Sequence, residues 1–302
     1  MKPISFKHLL ALLLIGLGLN AQAALNVVAC EPEWAALAKE LGGDKLNVSS
    51  ATTALQDPHH IEARPSLIAR VRGADLLVCT GMELEVGWLP VLIQQSGNVR
   101  LAAGSPANFE AGRYITALEV PSRLDRSDGD VHAMGNPHIQ QDPRNIARVA
   151  AALAARLAQL DAANARLYQD RLQNFSLRWS AALQKWEQQA QPLKGLTVVS
   201  HHKNMDYLWA WLGMREVGTL EPKPGVEPSV GHLSELKAQL ARQPAKLVVR
   251  AAYEDPRASQ WLASQAQIKA VALPFTVGGN DRASDLFGLF DSSIALLLEA
   301  AK

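Results

Sequence analysis

The sequence lacks three features that would each point to a definite class of partner. After the first 19 residues it has no apolar run of the roughly 18 residues that a membrane-spanning helix needs. It has no excess of charge, because 30 lysines and arginines are balanced by 29 aspartates and glutamates, so nothing favours nucleic acid or an anionic membrane. It also has only two cysteines. Small molecules and proteins are the partners that remain.

Residues 1–23 have the pattern of a secretory signal peptide. Two lysines precede an apolar stretch, residues 9–19, that is too short to span a bilayer, and the Ala-Gln-Ala sequence at 21–23 supplies a cleavage site. No cysteine follows the apolar stretch at the distance that a lipoprotein signal requires. We therefore expect an exported, soluble protein that begins near Ala24.

Both cysteines come at the ends of apolar, strand-like runs, Cys30 in NVVACEPEW and Cys79 in ADLLVCTGMELE. Disulfides form and persist in exported proteins, so a bond between the two is permitted. Two buried free thiols, packed as small hydrophobic side chains, are an equally good interpretation. The sequence leaves both alternatives open.

Strand-like and helix-like runs alternate in two separate parts of the chain. In the first part, residues 24–160, runs such as LNVVA and LNVSS are separated by helical patterns, as in parallel βαβ units. The alternation restarts in residues 191–302 with KGLTVVSHH, KLVVRAA and KAVALPF. The sequence therefore predicts an α/β fold of two lobes with mostly parallel sheets, and its length is enough for about two domains.

A different pattern joins these two parts. Within residues 161–190, apolar side chains recur at helical spacing, and neither Gly nor Pro interrupts the chain from Asn164 to Ala190. This predicts one uninterrupted helix on the order of 40 Å long. Because such a helix is a stiff linker, we expect only limited hinge bending between the lobes.

The histidines of the exported chain are concentrated in a few loops. They are His59, His60, His132, His138, His201, His202 and His232. The motifs DPHH and VVSHH follow predicted strands, GNPH ends the first lobe, and ligands of open α/β sheets bind beyond the carboxyl ends of strands. Pro58 and Pro137 place the next histidine on a short, stiff loop. Since imidazole is a common ligand of Zn²⁺, the pattern indicates a metal site in a cleft between the lobes.

Four segments carry a resemblance to a known family. They are residues 57–89, 135–161, 202–214 and 221–236, which contain DPHH, GNPH, HKNMDY and EPKPG in the family's order. They resemble the zinc- and manganese-binding substrate-binding proteins of bacterial ABC transporters, in the group whose lobes are linked by a rigid helix. The resemblance implies a periplasmic, monomeric protein that is not an enzyme and that delivers a metal ion to an inner-membrane ABC permease. A periplasmic metallochaperone is a further candidate partner.

The resemblance also implies the metal ligands. The family's first ligand directly follows Asp-Pro, which selects His59 over His60, and the NPH motif gives His138. A tyrosine five residues after the third ligand, here Tyr207, selects His202. Three imidazoles with one carboxylate suit Zn²⁺ better than Mn²⁺, which draws more on oxygen donors. Zn²⁺ is therefore the predicted cargo, with manganese as the alternative.

The fourth ligand is where the sequence departs from the family. A carboxylate is expected soon after the last strand, but Val277 occupies that position in LPFTVGGNDRASDLFGLFD. Asp281 in the same loop is the predicted fourth ligand, and Asp285 is better explained as the N-cap of the last helix. A water molecule or another histidine is the alternative. For His132, in the loop before His138, a solvated polar loop is favoured over transient metal binding.

Two other functions fit parts of the pattern. A zinc hydrolase needs a base beside an open position of the metal. The sequence has no H-E-x-x-H motif, and Glu62 alone among the glutamates lies within four residues of a predicted ligand. A carrier of a metal chelate, such as haem or a corrinoid, would keep two lobes, but histidines at strand ends favour a bare ion.

Overall fold

A computed structural model of the protein describes residues 23–125 and 129–302. The predicted signal peptide lies outside the described residues, except for Ala23. In these two ranges no helix combines the length and the apolar character that a membrane crossing requires.

The first sheet has four parallel strands in the order β2-β1-β3-β4. They are β1 (Leu25–Ala29), β2 (Leu46–Ser50), β3 (Leu76–Cys79) and β4 (Asn108–Glu110). Every residue of β3 is buried, as expected of a central parallel strand that is covered on both faces. Because all four strands are parallel, their carboxyl ends share one edge of the sheet.

Four helices pack around this sheet. They are α1 (Pro32–Gly42), α2 (Pro65–Arg72), α3 (Leu89–Ser96) and α4 (Pro143–Leu160). Each has a proline at one of its first two positions, where the missing N–H is one that has no partner within the helix. The buried Trp34 of α1 donates its Nε1–H to Oγ1 of Thr80 at 2.8 Å. This bond ties α1 to the carboxyl end of β3.

The second sheet repeats the topology of the first. Its parallel strands, in the order β6-β5-β7-β8, are β5 (Thr197–Ser200), β6 (Arg215–Thr219), β7 (Leu247–Ala251) and β8 (Lys269–Leu273). The helices of this lobe are α6 (Asp206–Leu212), α7 (Val230–Leu240), α8 (Pro256–Ala266) and α9 (Leu286–Ala301). Because both sheets are parallel and have the same strand order, each lobe has one edge at which the carboxyl ends of all four strands lie.

The predicted linking helix is α5, Ala165–Gln189. Its 25 residues correspond to roughly 37 Å at 1.5 Å per residue. Trp179 donates its Nε1–H to the carbonyl of Pro143 at 2.8 Å, and Trp186 donates to Asp291 at 2.7 Å. One bond reaches the start of α4 and the other reaches α9, so the helix is fixed to both lobes.

A single hydrophobic core continues through both lobes and along α5. It includes Val27 and Leu76 of the first sheet, Trp179 of α5, and Val198 and Leu247 of the second sheet. Two smaller clusters fill the remaining faces of the two sheets. The buried stripe of α5 thus belongs to the same packed interior as the sheets that it connects.

The two cysteines form a disulfide between the ends of neighbouring strands. Cys79 is the last residue of β3, and Cys30 directly follows β1, which pairs with β3. The N–H of Cys30 donates to the carbonyl of Val78 at 2.8 Å, so pairing of the strands continues to the disulfide. Of the two alternatives that the sequence leaves open, the structure has the disulfide.

The predicted fold class is confirmed: two α/β lobes with parallel sheets and one long helix between them. The described residues also contain β4, β6, α3 and α7, which the sequence patterns did not predict. All strands of the first sheet precede residue 160 and all strands of the second follow residue 191. The boundaries 24–160, 161–190 and 191–302 themselves stay predictions.

Candidate metal centre

Three of the predicted ligands meet between the lobes. His59 lies in the loop after β2, His138 in the loop before α4, and His202 two residues after β5. One imidazole nitrogen of each lies within 4.8 Å of those of the other two. The centroid of the His138 ring is 5.3 Å from that of His59 and 5.5 Å from that of His202. The structure therefore brings these three side chains to one point.

The same local turn positions two of the three histidines. Oδ1 of Asp57 accepts the N–H of His59 at 2.9 Å, and Oδ1 of Asn136 accepts the N–H of His138 at 3.0 Å. Asp and Asn favour such turns because their short side chains reach the backbone two residues further on. The proline between the two residues fixes φ at about −65°. The sequences DPH and NPH each form a stiff turn that carries an imidazole.

Two carboxylates hold the outer nitrogens of the imidazoles. Nδ1 of His59 lies 2.7 Å from Oδ1 of Asp57, and Nδ1 of His202 lies 2.7 Å from Oε2 of Glu221. A carboxylate can only accept, so Nδ1 of a neutral imidazole carries the proton and Nε2 keeps its lone pair. Nε2 of His59 is buried and has no hydrogen-bond partner. Carboxylate–histidine pairs of this kind are typical of zinc ligands.

The pKa values of the other two histidines shift in opposite directions. Burial, together with the charges of neighbouring imidazoles, lowers the pKa of His138 well below 6.5. At neutral pH this ring is uncharged and able to bind a cation, and its buried Nδ1 has no hydrogen-bond partner. Burial acts to lower the pKa of His202 as well, but the hydrogen bond to Glu221 and its charge outweigh that effect and raise the pKa.

The sequence suggested a solvated loop around His132, and its neighbours Asp130 and Met134 are exposed, but the His132 side chain itself is half-buried. Its ring stacks on His59, with 5.5 Å between centroids and 22° between planes. Its Nε2 is buried without a hydrogen-bond partner, although it is not among the nitrogens that lie within 4.8 Å of one another. Burial, followed by the charges of His59 and His202, lowers the pKa of His132 to about 4.

The second histidine of each pair has a different setting. His60 is exposed, with its ring centroid 6.2 Å from that of His59. His201 is buried, and its N–H donates to the carbonyl of Val249 at 2.8 Å, which extends the pairing of β5 with β7. Neither belongs to the group of converging nitrogens.

The structure does not bring Asp281 to the three histidines. Asp281 is exposed and lies outside the group of converging ligand atoms found among the described residues. The reason lies in the preceding residue, because Oδ1 of Asn280 accepts the N–H groups of Arg282 and Ala283 and folds the loop into a tight turn with Asp281 at its tip. Asp285 caps α9 as predicted, accepting the N–H of Gly288 at 2.7 Å.

Two glutamates at the site were not recognised in the sequence. Glu221 begins the segment EPKPGVEPS, whose three prolines predict only a rigid surface loop. Burial raises the pKa of Glu254 to about 7, and its charge acts on His202. Both oxygens of Glu254 are already used, since Oε2 accepts the N–H of Ala251 at 2.6 Å and Oε1 accepts from Asn204 at 2.8 Å.

A cavity of about 290 Å³ leads to the histidines. Its walls include His59, His202 and the carboxylates of Asp57, Glu221, Glu227 and Asp255. A cleft lined by charge of one sign concentrates ions of the opposite sign. The arrangement can therefore attract a divalent cation and present it with three imidazole nitrogens.

Comparison with known proteins finds similarity to metal-binding components of transport systems. The family model of ZnuA, the periplasmic component A of a zinc-uptake complex, matches residues 27–300. The zinc-binding lipoprotein AdcA of Streptococcus pneumoniae is 24% identical over 279 residues, which are 87% of this chain and 52% of AdcA. The manganese ABC transporter substrate-binding lipoprotein scaA of Streptococcus gordonii is 28% identical over 183 residues, 54% of this chain and 59% of scaA. The matches span a little over half the length of these relatives.

The fold has close counterparts among solved structures. A crystal structure of ZnuA superimposes with a TM-score of 0.74 at 22% sequence identity, covering 90% of this chain and 99% of that one. Identity at this level supports the shared fold alone. The family model, in contrast, extends over nearly all of the described residues. The chain belongs to the ZnuA family, the periplasmic component A of zinc-uptake complexes.

Proposed function

We propose that this protein captures Zn²⁺ between its lobes in the periplasm and delivers it to an ABC permease of the inner membrane. Membership of a family of zinc-uptake components supports the transport role. In this proposal the protein acts as a monomer, the ion is its cargo, and a metallochaperone is a further candidate partner.

The observation that carries the proposal is the convergence of three imidazoles from three separate segments. His59 and His138 come from the first lobe and His202 from the second, and their ligand nitrogens lie within 4.8 Å of one another. A buried imidazole nitrogen without a partner is costly, and a bound cation would satisfy it. Neutral imidazoles held by carboxylates are what a zinc site requires.

Donor chemistry supports zinc over manganese. Mn²⁺ prefers carboxylate, carbonyl and water oxygens, whereas imidazole suits Zn²⁺. Asp57 and Glu221 are hydrogen-bonded to imidazoles, and both oxygens of Glu254 accept hydrogen bonds from the protein. Asp57 and Glu221 therefore orient the imidazoles, while the oxygens of Glu254 are held by other parts of the protein. The likeness to scaA makes manganese the alternative that a test must include.

The test is a metal-binding titration of the protein stripped of metal. We expect tight binding of Zn²⁺ in competition with a chromogenic chelator and much weaker binding of Mn²⁺. Loss of a residue that only orients a metal ligand lowers metal affinity by roughly 10–100-fold. Loss of a ligand itself should have a larger effect, so His138→Ala and His202→Ala should each lose more than about 100-fold in zinc affinity. Anomalous scattering at the zinc edge from a crystal of the loaded protein identifies the ion.

The matched control is His60→Ala. This change removes an imidazole next to His59 that is exposed and outside the converging group. Its zinc affinity should stay within about threefold of the wild type. Equal losses in His60→Ala and His138→Ala would reject the three-histidine site, and stronger binding of Mn²⁺ than of Zn²⁺ would reject the proposed cargo.

A further inference from the structure

We propose that His132 supplies a fourth nitrogen to the ion, so that the loop of residues 129–135 completes the metal site. This inference rests on the proposed function and deepens it, because a site of four imidazoles selects more strongly for zinc. It assigns the fourth position to a histidine in place of Asp281, which is exposed.

The ring of His132 lies close to the converging histidines. The ring stacks on His59 at 5.5 Å, about as close as His138 and His202 lie to the same ring. Stacking of this kind needs no metal. However, Nε2 of His132 is buried and has no hydrogen-bond partner, and a solvated loop has no reason to bury such an atom.

The nearby carboxylates already accept hydrogen bonds from the protein. Oε2 of Glu221 receives hydrogen bonds from His202 and from the N–H of Gly225, and Oδ1 of Asp57 receives two from His59. Thus one oxygen of Glu221, one of Asp57 and both oxygens of Glu254 already accept hydrogen bonds. Nε2 of His132 is buried and unused; Nδ1 of His201 is too, but the His201 ring is not among those that pack against His59.

The loop that carries His132 is held to both lobes. The N–H of Ala133 donates to Oε2 of Glu83 at 2.5 Å, and the N–H of Asp130 donates to the carbonyl of Pro224 at 2.9 Å. Gly129 has φ of +85°, and a Cβ there would lie 2.3 Å from the carbonyl oxygen of Pro224. Only glycine permits this approach, so the chain itself is adapted to bring the loop against the second lobe.

Coordination requires the imidazole nitrogens to move closer together. In a tetrahedral site with Zn–N bonds of about 2.0–2.1 Å, ligand nitrogens are roughly 3.4 Å apart. The nitrogens of the three converging histidines lie within 4.8 Å of one another, and His132 lies outside this group with its ring centroid 5.5 Å from that of His59. Binding of the ion would draw all four imidazoles together.

The experiment compares His132→Ala with His232→Ala, whose imidazole is bonded to the carbonyl of Thr219 away from the site. We expect His132→Ala to lose about tenfold or more in zinc affinity, with a smaller change for Mn²⁺, so that the ratio of the two affinities falls. His232→Ala should match the wild type. Zinc-edge EXAFS of the loaded wild type gives a readout without any variant and should count four imidazoles.

The outcomes separate this inference from the proposed function. If His138→Ala loses binding while His132→Ala binds zinc as the wild type does, the His132 inference is overturned and the three-histidine site stands. A count of three imidazoles by EXAFS would likewise overturn the His132 inference and leave the three-histidine site in place. If the wild type fails to bind zinc, both proposals are overturned.

Discussion

Glu221 fixes the third imidazole of the site. Its Oε2 lies 2.7 Å from Nδ1 of His202, which keeps the proton on that nitrogen and leaves Nε2 free for a cation. The same oxygen accepts the N–H of Gly225 at 2.9 Å, so the carboxylate is itself held in place. The negative charge also makes the imidazole a stronger donor.

Glu221→Gln should therefore weaken zinc binding by about tenfold or more. The amide keeps the shape of the side chain but loses the charge. Because the hydrogen bond and charge of Glu221 are what raise the pKa of His202, that pKa should fall in the variant. Competition titration measures the first effect, and an NMR titration of the His202 ring measures the second.

The control for this change is Glu227→Gln. Glu227 is an exposed residue that lines the same cavity, so its loss tests the general effect of negative charge on binding. We expect its zinc affinity to stay within about threefold of the wild type. If Glu227→Gln lost as much zinc affinity as Glu221→Gln, the negative charge of the cavity, and not the hydrogen bond to His202, would explain the weaker binding.

The sequence identifies the histidines but not the residue that orients His202. The turns DPH and NPH are local, so their residues can be read directly from the chain. Glu221, in contrast, lies 19 residues after His202. It reaches the ring because β6 runs beside β5, and residues just beyond the two strands become neighbours. A contact of this kind requires knowledge of which strands pair.

At the level of elements, the strands that escaped prediction are edge strands. β4 and β6 lie at the edges of their sheets. Phe109 is the only buried residue of β4, and Val217 is the only buried residue of β6. An edge strand covers little of the core, so its sequence lacks the continuous apolar run that marks a buried parallel strand. The long helix α5 was predicted because its buried aromatic residues recur over many turns.

The disulfide fastens two central elements, β1 and β3, just at their carboxyl ends. It closes a segment with a sequence separation of 49 residues. For a loop of this length, restriction of the unfolded chain stabilises the folded state by about 4 kcal/mol in the chain-entropy model. The disulfide also lies next to the loop that carries His59. The N–H of Thr52, at the start of that loop, donates to the carbonyl of Cys30 at 3.0 Å.

Reduction should therefore lower the free energy of unfolding by about 2–4 kcal/mol. Denaturant unfolding with and without a reductant measures the difference as a shift of the transition midpoint. The double variant Cys30→Ala/Cys79→Ala is the control, because a reductant has no bond to break in it and should leave its midpoint unchanged. Coincident transitions of the wild type under both conditions would show that the bond contributes nothing to stability.

At the scale of the whole molecule, several hydrogen bonds join the two lobes near the histidines. Oη of Tyr207 donates to the carbonyl of Asn136 at 2.8 Å, and Nε2 of Gln141 donates to the carbonyl of Phe275 at 2.7 Å. Phe275 also packs against the ring of His138. With the continuous core along α5, these contacts support the expectation that the lobes move little relative to each other.

A buried carboxyl group, that of Glu33, also lies where the two lobes are in contact. Oγ1 of Thr276, which follows β8, donates to Oε2 of Glu33 in α1 at 2.5 Å, while Oε1 of Glu33 has no partner. Burial raises the pKa of Glu33 to about 7, against the opposing effect of the Thr276 hydrogen bond. As pH rises, the unfolded chain therefore releases the Glu33 proton near pH 4.5, whereas the folded state keeps it until about pH 7. This contribution to stability is fully present below pH 4.5 and is lost as pH rises through 7.

Glu33→Gln should remove this pH dependence, because the amide is neutral throughout. Relative to the wild type, the variant should gain on the order of 2 kcal/mol in unfolding free energy between pH 5 and pH 8, since only the wild type must bury a charge at the higher pH. Denaturant unfolding at both pH values measures the change, with the exposed Glu235→Gln as the control that should follow the wild type. Parallel pH profiles for Glu33→Gln and the wild type would show that the Glu33 carboxyl does not protonate on folding. The Glu33–Thr276 bond would then join the lobes with a charged partner.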